Sequence, residues 1–97
     1  MPGKITVYIS NLASNVETRK QQMRIQDVLS GCKIDYDVVD VSASRDNLAR
    51  MREIVGDPKA LAPQIANDDE YCGNYDDFEE AVENKSLNEF LKSENTA

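Results

Sequence analysis

The sequence predicts a single α/β domain in which helices flank a four-stranded mixed sheet, in the order β-α-β-α-β-β-α. The length of 97 residues is sufficient for one two-layer core and too short for a second domain. Short β-branched segments alternate with longer segments whose apolar residues recur at helical spacing. A helix joins the first two strands, so we expect them to be parallel with a right-handed crossover, whereas the last two strands form a hairpin.

Four segments have the composition of strands, with alternating or β-branched apolar residues. They are residues 5–9, 34–41, 64–66 and 70–72. Pro63 leads the third strand, and a turn at residues 67–69 joins it to the fourth. Gly73 and Asn74 are expected to end the fourth strand.

Three segments carry apolar residues on one helical face, and a short fourth helix follows them. The first helix is expected from about residue 16 to Gly31, and the second ends at Gly56. Ser86 and Glu89 match the capping-box pattern at the start of the last helix. The side chains expected to cap the four helices are, in chain order, Ser14 or Asn15, Ser42 or Ser44, Asn74, and Ser86.

The formal net charge is −7, and residues 51–97 carry twelve acidic and four basic side chains. Nucleic-acid binding rests on clustered lysine and arginine, so we expect no nucleic-acid partner. The acidic half favours basic partners, and the alternative is a solvated face that keeps the protein in solution. No apolar segment approaches the ~20 residues that cross a bilayer, so we expect no membrane association.

The chain contains no histidine and two cysteines, Cys32 and Cys72. The lack of histidine excludes a Ser-His-Asp or Cys-His hydrolase and a histidine-based zinc site. Two thiols without a C-x-x-C motif do not complete a four-ligand zinc site, so we expect no metal. The N-terminus lacks a signal-peptide core, which predicts reduced thiols in a cytoplasmic protein, with the nucleus as a second location.

Two neighbouring segments resemble glutaredoxins. Ala62-Pro63-Gln64-Ile65 is similar to their proline-headed strand, and residues 71–78 (YCGNYDDF) are similar to the glycine and Asp-Asp turn that opens their next helix. Within the thioredoxin-like superfamily, the chain resembles the SH3-domain-binding glutamic acid-rich-like family over nearly its whole length. The fragments that carry this resemblance are Val7-Tyr8, Lys20-Gln21-Gln22, Ile34-Asp35-Tyr36, Val39-Asp40-Val41, Pro63-Gln64-Ile65, and residues 69–75, 80–83 and 87–92.

The resemblance implies a thioredoxin/glutaredoxin-like fold over residues 1–92, followed by a C-terminal tail at residues 93–97, and it implies a cis peptide bond before Pro63. It also implies a remnant glutathione groove formed by Pro63, Gly73, Asn74, Tyr75, Asp76 and Asp77. The free amides and positive end of a helix start attract a carboxylate such as that of glutathione. The alternative is that Asn74 and Asp77 only cap a helix and that Pro63 only forms a turn.

The chain departs from glutaredoxins at the catalytic position. A glutaredoxin needs a low-pKa cysteine at the start of its first helix, where the helix dipole stabilises the thiolate, but residues 1–31 contain no cysteine. We therefore expect a non-catalytic protein-interaction module or modulator of redox and signalling proteins, with no required cofactor. One alternative is residual glutathione binding, or a weak glutathione-dependent oxidoreductase or transferase that uses Ser10 or Ser14. Another is a purely scaffolding role.

The partners expected are proteins, with glutathione as the small-molecule candidate, and the chain is expected to be a monomer. The family name suggests a proline-rich ligand for SH3 domains near Pro63. Residues 58–63 (PKALAP) lack the P-x-x-P spacing of a polyproline ligand, so this segment does not predict SH3 binding. Cys72 is expected to be a packing thiol beside the groove.

Overall fold

Four strands and four helices lie within residues 4–12 and 15–91, which are the residues that this computed structural model describes. In chain order they are β1 Ile5–Ile9, α1 Val16–Gly31, β2 Tyr36–Asp40, α2 Arg45–Val55, β3 Gln64–Asn67, β4 Glu70–Asn74, α3 Tyr75–Glu83 and α4 Leu87–Phe90. This order confirms the predicted β-α-β-α-β-β-α sequence of elements, with the short α4 after it.

The strands form one mixed sheet in the order β2-β1-β3-β4. β1 is parallel to β2 and antiparallel to β3, and β3 pairs with β4 as an antiparallel hairpin. β1 is a central strand, and its side chains Ile5, Val7, Tyr8 and Ile9 are buried. The predicted parallel pair, hairpin and four-stranded mixed sheet are therefore confirmed.

Each face of the sheet covers its own hydrophobic cluster. On one face α1, α3 and the end of α4 contribute to the cluster of Ile5, Val7, Ile9, Ile25, Leu29, Ile65, Phe78 and Leu91. On the other face α2 contributes Met51 to the cluster of Tyr8, Val41, Met51, Ala60 and Ala66. The alternation of side chains along β1 and β3 sends neighbouring residues to opposite clusters, which is the layering of a helix–sheet–helix domain.

The helix starts follow the predicted caps where the structure describes them. Asn15 caps α1 by accepting from the Glu17 amide at 2.8 Å, and Ser44 caps α2 by accepting from the Asp46 amide at 3.1 Å. Asn74 caps α3. The alternative cap Ser14 lies outside the described residues.

The predicted bounds of α1, from about residue 16 to Gly31, are confirmed. Gly31 is still helical, and the left-handed residue that turns the chain is Lys33, at φ 59°. The end of α2 follows the prediction, since Gly56 has φ 82°. The prediction of a capping box at Ser86 is wrong, because the Ser86 side chain makes no hydrogen bond to the α4 backbone.

The strand bounds differ from the prediction at four ends, two of them by a single residue at the ends of β2 and β3. β2 begins at Tyr36 instead of residue 34, because the Ile34 amide donates to the Leu29 carbonyl and so belongs to the turn after α1. β4 continues through Asn74, where the sequence predicted a break after residue 72. The predicted domain boundary at residue 92 and the tail at residues 93–97 lie outside the described residues.

The helices of the described part are short or strongly polar. Within residues 4–12 and 15–91, none has the length together with the apolar character that crossing a bilayer requires.

Candidate functional site

A groove lies beside Pro63, where the start of α3 meets the loop after α2. We call it the Pro63 groove; its volume is about 420 Å³. It brings together α1, the end of α2, the loop at residues 57–62, the β3–β4 hairpin and α3. The lining residues are Gln21, Val55, Asp57, Lys59, Ala60, Leu61, Ala62, Pro63, Gln64, Tyr71, Asn74, Tyr75 and Asp76.

The Pro63 segment is held from beneath by two side chains of the hairpin. Pro63 is buried, and the Ala62–Pro63 peptide bond is cis. The Gln64 side-chain amide donates to the Leu61 carbonyl at 2.8 Å, and the Tyr71 hydroxyl donates to Gln64 Oε1 at 2.7 Å. Burial raises the pKa of Tyr71, so its hydroxyl remains a hydrogen-bond donor at neutral pH. The loop above this chain of bonds is therefore fixed, and it presents Leu61 to solvent with 71% of its surface exposed.

The start of α3 uses part of the predicted ligand site for its own cap. Asn74 Oδ1 accepts from the Asp77 amide at 3.0 Å, and Asp77 Oδ2 accepts from the Asn74 amide at 3.3 Å. Gly73 is buried against Asp77 and Phe90. Among the six predicted residues, those that line the groove are Pro63, Asn74, Tyr75 and Asp76, whereas Gly73 and Asp77 are outside its lining.

A hydrogen-bonded network fixes the Tyr75 ring at the groove. The Tyr75 hydroxyl donates to Glu79 Oε2 at 2.5 Å, and Arg24 of α1 contacts both oxygens of Glu79, at 3.0 and 3.4 Å. The hydrogen bonds from Arg24 and then Tyr75 lower the pKa of Glu79, and the bond to Glu79 raises the pKa of Tyr75. Tyr75 and Glu79 are four residues apart on α3, so their contact can be predicted from the sequence. The sequence around Arg24 does not indicate that Glu79 is its partner.

The connection from β1 to α1 is where a glutaredoxin-like nucleophile is expected. The Ser10 amide donates to Gln22 Oε1 at 2.8 Å, and Gln22 Nε2 donates back to the Ser10 carbonyl at 3.3 Å. The Asn11 amide and side chain donate to Asp40 at 3.2 and 2.9 Å. Hydrogen bonds, first from the Ser42 hydroxyl and then from neighbouring amides, hold the pKa of Asp40 below its usual range. The alternative nucleophile Ser14 lies outside the described residues.

The two thiols lie away from this connection. Cys32 is exposed just after α1, and Cys72 is half-buried at the bulge of β4, packed against the larger core cluster; neither is in a disulfide. Within the described parts of the chain, no three acidic or cysteine side chains lie close enough together to hold a metal ion.

Solved structures with the same arrangement of elements include an actin interacting protein and glutaredoxins. The structure of C. albicans actin interacting protein Aip5 matches with a TM-score of 0.76 at 20% identity, covering 92% of this chain and 88% of that one. Glutaredoxin C1 from Populus tremula x tremuloides matches with a TM-score of 0.67 at 15% identity, covering 94% and 78%. The buckwheat glutaredoxin–glutathione complex matches with a TM-score of 0.67 at 13% identity, covering 93% and 77%. These likenesses confirm the thioredoxin/glutaredoxin-like fold.

Sequence comparison is more specific. The family described as SH3-binding, glutamic acid-rich protein matches residues 3–94. The Drosophila melanogaster SH3 domain-binding glutamic acid-rich protein homolog is 38% identical over 100 residues, which cover 91% of this chain and 63% of the relative. The chain thus spans less than two thirds of the length of that relative. Because the family match covers nearly the whole chain and the predicted resemblance is confirmed, the chain belongs to the SH3-binding, glutamic acid-rich protein family.

Proposed function

We propose that this chain is a non-catalytic interaction module, which holds a segment of a partner protein in the Pro63 groove without turning it over. The observation that carries the proposal is the combination of a formed groove with a β1–α1 connection that has no cysteine. The fold supplies the binding surface, and the chemistry depends on residues placed on it. A binding role also agrees with the naming of the family's relatives as binding proteins.

The groove offers a fixed surface with both apolar and polar contacts. Leu61 and the Tyr75 ring supply apolar area, and the Gln64–Tyr71 bonds keep the loop below them in place. Within the described residues, the Ala62 amide donates to no other backbone group outside the helices and strands, and we expect it to donate to a partner carbonyl. A rigid binding surface reduces the ordering cost of binding, which favours recognition of an extended peptide.

The position of the thiols argues against turnover. A reactive thiolate is stabilised at a helix N-terminus, whereas Cys32 follows the C-terminus of α1, where the helix dipole opposes negative charge. Cys72 packs in the β4 bulge. A serine at the β1–α1 connection has no histidine in this chain to activate it. The alternative of a glutathione-dependent enzyme therefore has no activated nucleophile among these residues.

An SH3 domain is a partner class to test because the relatives are named for it, but residues 58–63 do not present a polyproline helix. The Ala60 amide donates to the Asp57 carbonyl at 3.1 Å, which closes a turn at Pro58. Pro63 is buried. An SH3 ligand needs an extended, exposed proline helix, so any SH3 domain that binds this chain uses another surface.

The test selects peptides from a displayed random library and maps them onto the labelled protein by NMR. Amide shifts centred on residues 61–64 and 74–76 are expected, and Leu61→Ala should weaken binding several-fold. Leu12→Ala is the matched control, since Leu12 is equally exposed and outside the groove lining. Peptides that shift other residues, or an equal loss in both variants, would contradict docking in the groove.

Two further measurements distinguish the alternatives. Titration with reduced glutathione, followed by the same amide shifts, tests residual glutathione binding. An assay that couples glutathione to reduction of a mixed disulfide tests catalysis, and we expect no turnover above the reaction without protein. Turnover that exceeds this background would overturn the non-catalytic assignment while leaving the groove assignment to the NMR result.

A further inference from the structure

A second groove lies at the other ends of α1 and α3, where both helices terminate. We call it the two-lysine groove; its volume is about 580 Å³, within the range of ligand pockets. Its floor is the outer edge of the larger core cluster, and Lys33 and Lys85 belong to its lining. The floor residues, all half-buried, are Val28, Ile34, Val82 and Leu87.

The two lysines occupy the same position in two matching helix ends. Lys33 follows the C-cap of α1 with φ 59°, and Lys85 follows the C-cap of α3 with φ 57°. In each case the lysine amide and the next amide donate back into the last turn, at 3.0 and 2.9 Å after α1 and at 3.2 and 2.8 Å after α3. Glycine is the usual residue in this left-handed position because a β-carbon is unfavourable there. The backbone therefore does not explain why both positions carry lysine.

The two lysines have no acidic partner in the described part of the chain. Within the described residues, Lys4, Arg24 and Arg50 form ion pairs, but Lys33 and Lys85 form none. They are exposed and border one apolar floor in a protein of net charge −7. The negative ends of two helices favour nearby cations, which is the structural explanation for them. Carboxylates of a bound partner would supply the acidic groups that these two lysines lack in the described chain.

We propose that the two-lysine groove is a second docking surface, which takes a short acidic amphipathic segment of a partner protein. The apolar side chains of the segment cover the floor at Val28, Ile34, Val82 and Leu87, and its carboxylates face Lys33 and Lys85. The positive charges of the lysines favour a negatively charged partner, and the apolar floor supplies contact area. Glu89, also in the lining, repels carboxylates from the α4 side and so directs them to the lysines.

The same charges disfavour the other anionic partners. Attachment to an anionic membrane typically uses clusters of about four to eight lysines and arginines, and the groove has two with a glutamate beside them. Nucleic-acid binding needs a comparable cluster. A peptide carboxylate needs one or two positive groups, so the acidic segment is the partner that the groove fits.

The test uses a synthetic amphipathic peptide of about three helical turns, with leucine on one face and glutamate elsewhere. Titration into the labelled protein should shift the amides of the floor and of Lys33 and Lys85. A matched peptide with glutamine in place of glutamate should bind about fivefold more weakly, since each exposed charge pair contributes modestly. Binding of the acidic peptide should also weaken as salt is added.

The variant K33G/K85G separates binding from a structural role. Glycine is the preferred residue at both φ values, so the free energy of unfolding should stay the same or rise, while peptide affinity should fall about fivefold. The variant K4Q/K20Q removes the same charge from exposed positions outside both grooves and should leave the affinity unchanged. If K33G/K85G binds as tightly as the parent, or unfolds at a clearly lower urea concentration, the lysines serve the helix ends and the proposal is wrong.

Two other results would also overturn the proposal. One is the absence of any shift with the acidic peptide at millimolar concentration. The other is that vesicles containing phosphatidylserine produce the same amide shifts when the peptide does not, because the surface would then be a lipid contact. Neither result bears on the Pro63 groove, which lies at the opposite end of α3.

Discussion

A β-carbon on Gly73 would lie 2.6 Å from Cε1 of the Phe90 ring. The same β-carbon would lie 2.8 Å from the β-carbon of Asp77, and Gly73 has φ 156°. The missing side chain thus lets α4 close over the end of β4, directly behind the Pro63 groove. Gly73 therefore contributes to the packing of Phe90, because it has no side chain. The resemblance to a ligand-binding turn did not indicate this role.

Gly73→Ala should lower the free energy of unfolding by about 1–3 kcal/mol, because the added methyl group forces the Phe90 ring or the strand to move. The measurement is a urea denaturation curve. Gly31→Ala is the control, since Gly31 is helical and its β-carbon would meet nothing within 4 Å. The control should be stabilised, by up to about 1 kcal/mol. Unchanged stability in Gly73→Ala would contradict the close packing of Phe90.

Gln22 is a buried polar side chain that holds the main chain of Ser10, and Gln22→Ala should leave both Ser10 groups without those bonds. We expect a loss of about 1–3 kcal/mol and faster hydrogen exchange at the Ser10 amide. Gln26→Ala on the same helix is the control, since within the described residues the Gln26 side chain makes no hydrogen bond. An unchanged Ser10 exchange rate in Gln22→Ala would show that the loop is held by other contacts.

The element order was predictable because hydrophobic periodicity and cap residues are local properties of the sequence. Asn15, Ser44 and Asn74 each cap a helix where the pattern placed one. The errors arise where tertiary geometry selects the backbone. The turn after α3 bonds the Ser86 amide to the Ala81 carbonyl, so Ser86 adopts φ −116° and ψ 29° and its hydroxyl does not cap α4. The end of α1 at Gly31 was predictable, but no local pattern indicates that Lys33 is the left-handed residue in the turn that follows.

The candidate site was predictable only in its β3–α3 half. Pro63 and Asn74 carry recognisable turn and cap signals, and both line the groove. Gln21 comes from α1, and Arg24 reaches Glu79 across 55 residues of sequence. No local pattern connects two residues so far apart, so the α1 side of the site required the structure.

Asp40 should make the protein sensitive to acid. Hydrogen bonds from Ser42 and Asn11 hold the pKa of Asp40 below its unfolded value of about 3.9, so their stabilisation is fully present above that pH and is lost as pH falls through the folded pKa. Asp40→Asn should be less stable at neutral pH and should lose less stability between about pH 5 and pH 3. Urea midpoints across that range measure this. Asp35→Asn is the control, because Asp35 is an exposed carboxyl just before β2, the strand that ends at Asp40. Equal acid sensitivity in Asp40→Asn and the parent would exclude this role.

The pKa of Tyr75 should respond to changes in its hydrogen-bonded network with Glu79 and Arg24. The hydrogen bond to Glu79 raises the pKa of Tyr75, followed by burial and the Glu79 charge, whereas the Arg24 charge lowers it. Glu79→Gln should therefore bring the Tyr75 pKa down, and Arg24→Gln should move it further up. Because the folded pKa is raised, the stabilisation from this group is present below about pH 10 and is lost as pH rises through the folded pKa. Glu79→Gln should lose less stability over that alkaline range.

The Tyr75 ring resonance, followed against pH by NMR, measures both shifts. Glu80→Gln is the control, since Glu80 is an exposed carboxyl on the same helix that does not contribute to the raised pKa of Tyr75. Because the two network variants should move the pKa in opposite directions, a general loosening of the fold cannot produce the expected result. An unchanged or raised Tyr75 pKa in Glu79→Gln would contradict the hydrogen bond between Tyr75 and Glu79.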